Sequence, residues 1–322
     1  MIIESDYLTE GLFGQIFIWM LEVLPYIESR GWKPEWRIRS RNYGDPETAN
    51  IFPGIIRTNY DPEPGGEIQS FEKLNFFHKH QFRHNYRAAN RLWNTYFRFT
   101  DDIYERLYAF QRENLEGETV LGIHYRGTDK NVDRFQTNPT SRYQFLCIVE
   151  DFLRVHPDVT SVFVASDDTR FIEAMCGFPR VRFYQQARSQ DGRPLWNDQK
   201  CTDKQALAKD AILDSLTLSH CRYVLKSMSQ LSAFVKIFNP DVEAYRGSAC
   251  KPDWFPEAYV PLYRSEDRAV KGLLRVLQRG DARAPIHTKA IEAPERIGRL
   301  ASQVWKRRGT LASRTRLALF GK

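Results

Sequence analysis

Short apolar runs alternate with amphipathic segments through the second half of the chain. Apolar, partly β-branched runs at 119–124, 161–166, 181–184 and 223–225 predict buried strands. Between and after them, apolar positions recur at helical spacing and predict helices over 143–155, 169–176, 209–220 and 229–239. This alternation predicts a parallel sheet with helices on both faces, whose ligands bind at the carboxyl ends of the strands.

The first half of the chain follows a different pattern. Gly11 and Gly14 precede an apolar run over 16–26, which predicts a loop whose backbone N–H groups can approach a ligand, and then a helix. Residues 40–70 are rich in Asn, Gly, Pro and Asp and predict irregular loops. Residues 71–111 carry aromatic and basic side chains at helical spacing and predict a helical segment. We therefore predict an α/β protein with units at 1–112 and 113–263 and an extension at 264–322.

Composition narrows the class of protein. A chain of 322 residues suffices for about two domains, and an apolar fraction of 42% beside a charged fraction of 27% excludes wholesale disorder. The longest apolar stretch is interrupted by Gly14, Gln15 and Glu22, so no membrane-spanning helix is predicted. No signal peptide is predicted either. Five cysteines, with no CxxC spacing, indicate a reducing compartment and a cytoplasmic protein.

Three histidines in the aromatic segment invite a metal interpretation. His78, His80 and His84 have no acidic residue among them at ligand spacing, and the same spacing fits an exposed helical face. We therefore predict no metal site.

The positive charge is concentrated near the C-terminus. The net charge is +7, and residues 264–322 hold 15 basic and 5 acidic residues. The rest of the chain is nearly neutral, so the overall basicity does not indicate nucleic-acid binding. The amphipathic stretches of this tail leave two interpretations open. One is electrostatic contact with an anionic membrane surface, at the inner face of the membrane; the other is a solvated extension.

Polar and charged residues cluster where three of the predicted strands end. The clusters are His124, Arg126, Asp129 and Lys130; Asp167 and Asp168; and Ser227, Ser229 and Gln230. Asp214 precedes the third cluster, on a predicted helix. An arginine can bind two phosphate oxygens at once, serines at a helix start donate to anions, and carboxylates accept from ribose hydroxyls and base amino groups. These residue types together indicate a site for a nucleoside diphosphate.

Motifs of several other enzyme classes are missing from the sequence. There is no GxGxxG, no GxxxxGK[ST] and no GxSxG, which disfavours NAD-dependent hydride transfer, P-loop hydrolysis and α/β-hydrolase chemistry. Structural interpretations stay open for some of the clustered residues. Asp167 and Asp168 would serve as helix caps, as would Ser227 and Ser229, and His124 would be a hydrogen-bonded core residue.

The segments GIHYRGTDK, VFVASDD and AILDSLTLSHCRYVLKSMSQ, with Tyr143 between the first two, resemble the donor domain of GDP-fucose-dependent fucosyltransferases. The core α-1,6 and rhizobial nodulation-type enzymes are the most similar, with protein O-fucosyltransferases more distant. The resemblance covers residues 115–240. It implies a GT-B-like fold, in which two Rossmann-like domains face a cleft, with 1–112 on the acceptor side and 113–263 binding the GDP-sugar.

The resemblance also implies an activity and its catalytic residues. The reaction would be inverting, metal-independent and cofactor-free transfer of fucose from GDP-fucose to a hydroxyl of a glycan or glycolipid. Arg126 would hold the β-phosphate, Lys130 would assist near the acceptor, and Asp133 is the candidate base.

Other residues that match the family's motifs would bind the donor. Asp214 would face the guanine and ribose. The rest comprise His124, Asp129 and Tyr143 in support of the donor, Asp167 and Asp168 along the cleft, and Ser227, Ser229 and Gln230 at the phosphates.

Two positions depart from the family's pattern. Arg134 stands where the family has its base, and Asp133 lies one position before it. Gly127 replaces the second of two adjacent arginines found in the α-1,6 enzymes. The first departure motivates an alternative function, that of a non-catalytic protein that binds a GDP-sugar or a glycan. Another alternative is a membrane-tethered protein that acts through its basic tail.

Overall fold

The computed structural model describes residues 1–8, 11–63, 65–78, 85–128, 140–192, 195, 203–247, 255–267 and 271–272. The strands are β1 (Ile2–Glu4), β2 (Glu35–Arg37), β3 (Ile56–Thr58), β4 (Ile68–Ser70), β5 (Phe97–Phe99), β6 (Val120–Tyr125), β7 (Ser161–Ser166), β8 (Val181–Arg182), β9 (Tyr223–Lys226) and β10 (Glu243–Arg246). The α-helices are α1 (Ile18–Ser29), α2 (Phe71–His78), α3 (Tyr86–Tyr96), α4 (Asp101–Asn114), α5 (Arg142–Val155), α6 (Thr169–Met175), α7 (Lys204–Ser219), α8 (Gln230–Ala233) and α9 (Val235–Phe238).

A five-stranded parallel sheet forms the second half of the chain. Its strand order is β10-β9-β6-β7-β8, and every neighbouring pair is parallel. After β6 the chain moves outward through β7 and β8, and it then returns to place β9 and β10 on the other side of β6. The order therefore reverses between β6 and β9, and such a switch point opens a crevice at the carboxyl ends of the two strands.

Side chains of the central strands alternate between two packed layers. In β7, Val162 and Val164 join a cluster with α5 and α6, whereas Phe163 and Ala165 join a cluster with α7 and α9. Alternation with a period of two follows from the pleat of a strand. Because both faces are covered, the strands consist of buried, near-continuous apolar runs. The predicted parallel sheet with helices on both faces is confirmed.

Smaller sheets organise the first half of the chain. Strands β2, β1 and β4 form a parallel sheet in that order, and β3 pairs antiparallel with β5. The loop at Gly11 leads into a π-helical turn, Leu12–Phe17, which continues as α1. The predicted helix is confirmed, but the prediction of a loop through Gln15 was wrong, because Gly14 and Gln15 lie inside the π-helical turn.

Aromatic side chains join the first half of the chain to one face of the large sheet. Trp93 of α3 contacts Phe17, Phe99, Phe234 and Phe238 at ring-centroid distances of 5.3 to 6.0 Å. Aromatic pairs in tilted or edge-to-face arrangements contribute about 0.5–1.5 kcal/mol each beyond the area that they bury. This cluster holds α1 and α3 against the segment that follows β9.

Two predictions for the first half were wrong in part. Residues 40–70 are not uniformly irregular, since β3 and β4 lie within them. The helical segment predicted over 71–111 is interrupted by β5, which extends because its Phe97 and Phe99 are buried while Arg98 is exposed between them. Strand β10 was also missed, since only two of its four residues are apolar. These strands are too short for their apolar pattern to stand out.

Gly122 provides a test of the packing at the centre of the large sheet. A Cβ at this position would lie 2.9 Å from both Cys221 Sγ and Leu218 Cδ2. We expect Gly122→Ala to lower the free energy of unfolding by about 1–3 kcal/mol, because overpacking forces neighbouring atoms apart. Chemical denaturation would measure this loss. Gly14→Ala is the control, since its Cβ would meet nothing closer than 3.9 Å; equal losses in the two variants would contradict the prediction.

Candidate functional site

One hydrogen-bond network joins three strand ends of the large sheet. The backbone N–H of Arg126, after β6, donates to Ser227 Oγ, after β9, at 2.8 Å. The Nε atom of Arg126 lies 3.1 Å from Asp167 Oδ2, after β7. The backbone N–H of Ser227 donates to the carbonyl of His124 at 2.9 Å. Residues from the three predicted clusters are therefore in direct contact.

Asp167 orients the segment that contains Arg126. Its Oδ1 accepts from the backbone N–H of Gly127 at 2.8 Å, and its Oδ2 accepts from the hydroxyl of Thr128. With Arg126 on the same carboxylate, these contacts restrict the direction in which the guanidinium points. Charge-assisted hydrogen bonds of this kind are stronger than neutral ones.

Gly127 has no space for a side chain. A Cβ at this position would lie 2.5 Å from the Cβ of Asp168 and 2.9 Å from the ring of Tyr125. Glycine permits this close approach of the backbone because it lacks a Cβ. Packing thus accounts for the glycine at the position where the α-1,6 enzymes carry a second arginine.

His124 is buried at the end of β6, with 3% of its surface exposed. Its Nδ1 atom has no hydrogen-bond partner among the described residues. Burial, together with the positive charges of Lys226 and Arg126, holds the pKa of His124 well below its usual value. The ring is therefore neutral at pH 7. The alternative interpretation was that His124 is a core residue with all its hydrogen bonds made. It does not hold, because Nδ1 has no partner among the described residues.

Asp214 places a carboxyl group in a buried position on α7. Its Oδ2 accepts from Gln186 Nε2 at 2.8 Å, whereas its Oδ1 has no partner within the described part of the chain. Burial raises the pKa of Asp214 to about 7, although Arg188 and Gln186 act in the opposite direction. The carboxyl group is thus poised to ionise near neutral pH.

Gln186 and Arg188 are residues of this site that the sequence analysis missed. Both follow β8, and Arg188 donates to the carbonyls of Tyr184, Gln186 and Ser166. The Oε1 atom of Gln186 is buried and has no partner among the described residues. One sequence signal could have identified them. They follow the third predicted strand, just as the three predicted clusters follow the other three strands.

The segment after β9 approaches Gly14, near the start of the chain. Ser229 occupies the N-cap position of α8, but its side chain makes no capping hydrogen bond. Gln230 Oε1 is buried without a partner in the described residues, and its Cγ would lie 3.9 Å from a Cβ on Gly14. The π-helical turn that contains Gly14 therefore lies beside this cluster.

Two predicted site residues have contacts that account for them structurally. Asp168 caps α6, since its Oδ1 accepts from the backbone N–H of Arg170 at 3.0 Å, and its Oδ2 lies 3.1 Å from Arg142 Nε. The helix-cap interpretation is confirmed for Asp168. Tyr143 lies in the first turn of α5, where burial and the neighbouring Cys147 raise its pKa. Donor contacts of these two residues stay predictions.

Several predicted residues lie outside the described part of the chain. They are Asp129, Lys130, Asp133, His80, His84 and nearly all of the basic tail. Within the described ranges, no group of three or more His, Cys, Asp or Glu side chains is placed to hold a metal ion. No helix in those ranges combines the length and the apolar character that crossing a membrane requires.

A groove of about 580 Å³ opens at the carboxyl ends of β1 and β2. Its lining is polar and charged, with one aromatic side chain, and includes Glu4, Glu35, Arg37, Arg39, Asn50, Phe52 and Gln205. Gln205 lies in the first turn of α7, the helix that carries Asp214. The two residues are separated by about 14 Å along the helix axis at 1.5 Å per residue. The groove and the network at the large sheet therefore share one helix.

The fold of this chain is similar to that of solved fucosyltransferase structures. The chain superposes on fucosyltransferase NodZ from Bradyrhizobium with a TM-score of 0.51 and 15% identity, covering 74% of this chain and 93% of that one. NodZ alpha-1,6-fucosyltransferase soaked with GDP-fucose and the same enzyme co-crystallized with GDP both superpose with TM-scores of 0.50, at 15% and 16% identity. Each superposition covers 74% of this chain and 92% of the NodZ chain.

At this level of identity the likeness establishes a shared fold. The GT-B-like fold that the sequence resemblance implied is confirmed. POFUT1 in complex with GDP superposes with a TM-score of only 0.34, which is too low to support a conclusion. No protein-family model matches the chain, and no curated protein matches it in sequence.

The raised pKa of Asp214 predicts a pH-dependent stability. Between its ordinary value of 3.8 and about 7, the folded chain binds this proton more tightly than the unfolded chain does. The wild type should therefore lose stability as pH rises through this window, relative to Asp214→Asn, by up to about 1.4 kcal/mol per pH unit. Urea unfolding at pH 4 to 8 would measure this difference, and it should level off above pH 7.

Asp45→Asn is the control for this measurement. Asp45 is partly exposed, and hydrogen bonds from Thr48 and Glu47 lower its pKa. It is therefore ionised in both the folded and the unfolded chain above about pH 5, and its difference from the wild type should stay flat between pH 5 and 8. A flat difference for Asp214→Asn as well would contradict the prediction.

Proposed function

We propose that this chain is an inverting, metal-independent glycosyltransferase that transfers fucose from GDP-fucose to a hydroxyl of a glycan or glycolipid. One observation carries the proposal. At the switch point of a fold shared with NodZ, an oriented arginine lies near buried polar atoms that lack partners among the described residues. Buried polar atoms are rarely left unpaired in native proteins, so such a group indicates a ligand.

The unpaired acceptors suit the polar groups of a guanine nucleotide. Guanine presents adjacent N–H donors on one edge, and ribose presents hydroxyl donors. Asp214 Oδ1 and Gln186 Oε1 are acceptors in need of such donors. The neutral His124 ring supports this end of the donor, and Ser227, Ser229 and Gln230 approach the phosphates from the segment after β9.

Arg126 is the proposed stabiliser of the leaving group. When the bond between fucose and GDP breaks, negative charge develops on the β-phosphate. A guanidinium that Asp167 already orients can meet this charge without reorganising, and preorganised groups of this kind lower the barrier most.

The acceptor hydroxyl needs a base and a place to bind. We assign the base to Asp133, with Lys130 near the acceptor, from their positions in the sequence. In-line attack from the side opposite GDP inverts the anomeric carbon. The groove at β1 and β2 is the proposed acceptor site, because its planar carboxylate, amide and guanidinium groups suit sugar hydroxyls. Its aromatic residue, Phe52, can stack on a sugar ring.

Titration calorimetry of GDP tests the donor site directly. Without added metal, the wild type should bind GDP in preference to UDP, since uracil cannot present the guanine donors. Arg126→Ala should weaken GDP binding about 30-fold or more, because a charged partner of the phosphate is removed. The control is Arg170→Ala, which removes an exposed arginine of α6 and should leave the affinity unchanged.

Three outcomes would count against the proposal. Failure of the wild type to bind GDP, or a strict need for a divalent ion, would overturn the donor site or its mechanism. GDP binding without transfer of labelled fucose to any of a panel of soluble oligosaccharides would instead favour the non-catalytic alternative. That alternative is motivated by Arg134 at the family's base position.

The acceptor groove is tested by separating the two substrates kinetically. Arg37 lies 2.7 Å from Glu35 through its Nε and is partly exposed to the groove. We expect Arg37→Ala to lower fucose transfer to an oligosaccharide about tenfold through a higher acceptor KM, with GDP affinity unchanged. The control is Arg112→Ala, which removes an arginine in the last turn of α4 and should leave the acceptor KM unchanged. Loss of GDP binding in Arg37→Ala would contradict this assignment.

Localisation belongs to the proposal as well. The chain would act in the cytoplasm, and its tail at 264–322 would contact the inner face of an anionic membrane. This contact rests on the charge of the tail alone, so it is secondary to the proposed enzyme activity.

A further inference from the structure

A buried ion pair lies directly behind the phosphate-facing segment that follows β9. Lys226, the last residue of β9, and Glu257 have exposed fractions of 0% and 1%. The Nζ atom of Lys226 donates to Glu257 Oε1 at 2.6 Å and to Oε2 at 2.5 Å. The two residues are 31 positions apart in the sequence, so this contact is set by the tertiary fold.

Both members of the pair also hold the backbone of the same loop. Lys226 Nζ donates to the carbonyl of Ser227 at 2.9 Å, and the backbone N–H of Ser229 lies near enough to the Glu257 carboxylate to lower the pKa of that group. Ser227 Oγ in turn accepts from the backbone of Arg126 at 2.8 Å. A continuous chain of contacts therefore runs from Glu257 to the arginine of the donor site.

Glu257 is itself anchored to the first half of the chain. The carbonyl of Pro256 accepts from the hydroxyl of Tyr86 at 2.9 Å, and Phe255 packs on the Tyr86 ring at a centroid distance of 5.4 Å. Tyr86 begins α3. The ion pair thus connects the loop after β9 to a helix in the first half of the chain.

Stability alone does not explain a buried pair of this kind. Removing two charges from water costs as much as their attraction returns, and apolar side chains of similar volume often replace such pairs without loss of stability. The pair does provide a directional hydrogen bond to the carbonyl of Ser227, which apolar side chains cannot make. We therefore expect the pair to fix the conformation of the loop rather than to raise the stability of the fold.

We propose that Lys226 and Glu257 act as a positioning pair that fixes the backbone of Ser227 and Ser229, and through it Arg126, for the diphosphate of the donor. This inference rests on the proposed function, because it assigns the loop to the phosphates. Neither residue touches the substrate. They act by fixing the positions of the groups that contact the substrate. A misplacement of such a group by about 1 Å can lower the reaction rate about 100-fold.

The double variant Lys226→Met/Glu257→Met tests the pair, since it removes both charges and keeps the length of each side chain. We expect a melting temperature within a few degrees of the wild type or above it. Binding of GDP should weaken by about tenfold or more, whereas binding of guanosine, which lacks phosphates, should be unchanged. Amide hydrogen exchange at 227–230 should accelerate without ligand, because the loop loses the hydrogen bond between the Ser227 carbonyl and Lys226 Nζ.

Lys209→Met is the matched control. This lysine of α7 is partly buried and donates to Asp102 Oδ2 at 2.8 Å, and it has no contact with Tyr86 or with the loop at 227–230 among those described. Its loss should lower stability and leave both GDP binding and exchange at 227–230 unchanged. If the double variant does not fold, Glu257→Gln serves instead. Its amide oxygen retains one bond from Lys226, and its NH2 group removes the second acceptor for Lys226 Nζ.

The result separates this inference from the proposed function. A folded double variant with wild-type exchange at 227–230 and wild-type GDP affinity would overturn the positioning pair. Equal losses of GDP and guanosine affinity would overturn it as well, since the effect would then be general. If the wild type fails to bind GDP, the donor-site proposal fails, while the exchange measurement still decides whether the pair orders the loop.

Discussion

The structure depends on the complete burial of strand β6. It has parallel partners along both edges, β7 and β9, and packed helices on both faces. A strand in this position leaves no backbone group for water, so the chain can leave the sheet only at the ends of its strands. Because β7 and β9 flank it, the loops that follow all three strands meet at one edge. The network of Arg126, Asp167 and Ser227 is the result of this geometry.

Around that edge the side chains divide into two kinds. Asp167 and Asp168 are largely occupied by the protein itself, as acceptors for a turn and for a helix. Asp214, Gln186 and Gln230 keep a buried oxygen without a partner among the described residues. The first kind rigidifies the site, and the second provides the chemistry that a ligand can use. Unpaired acceptors are costly in an empty site, and a bound nucleotide would recover that cost through its own donors.

How far the sequence predicts this arrangement depends on the separation between interacting residues. Strands β6, β7 and β9 and helices α5 to α7 follow from runs such as VFVAS, whose periodicity is local. The site residues that directly follow these strands were found because position at a strand end carries information. Contacts between distant segments were not predicted. They include those of Gln186 and Arg188 and the ion pair of Lys226 with Glu257. Strands β3 to β5 and β10 were missed because three or four residues contain too little pattern against a polar or helical background.

Gly127 has a consequence for evolution and engineering. Because a Cβ there would overlap the side chain of Asp168 and the ring of Tyr125, a direct exchange of this glycine for arginine cannot recreate the paired arginines of the α-1,6 enzymes. The cap of α6 would have to move first, and the pairing of that cap with Arg142 would move with it. Any series of substitutions that introduced a second arginine here would therefore have to include a change at the start of α6. Grafting the arginine pair onto this scaffold calls for redesign of that helix start together with the loop.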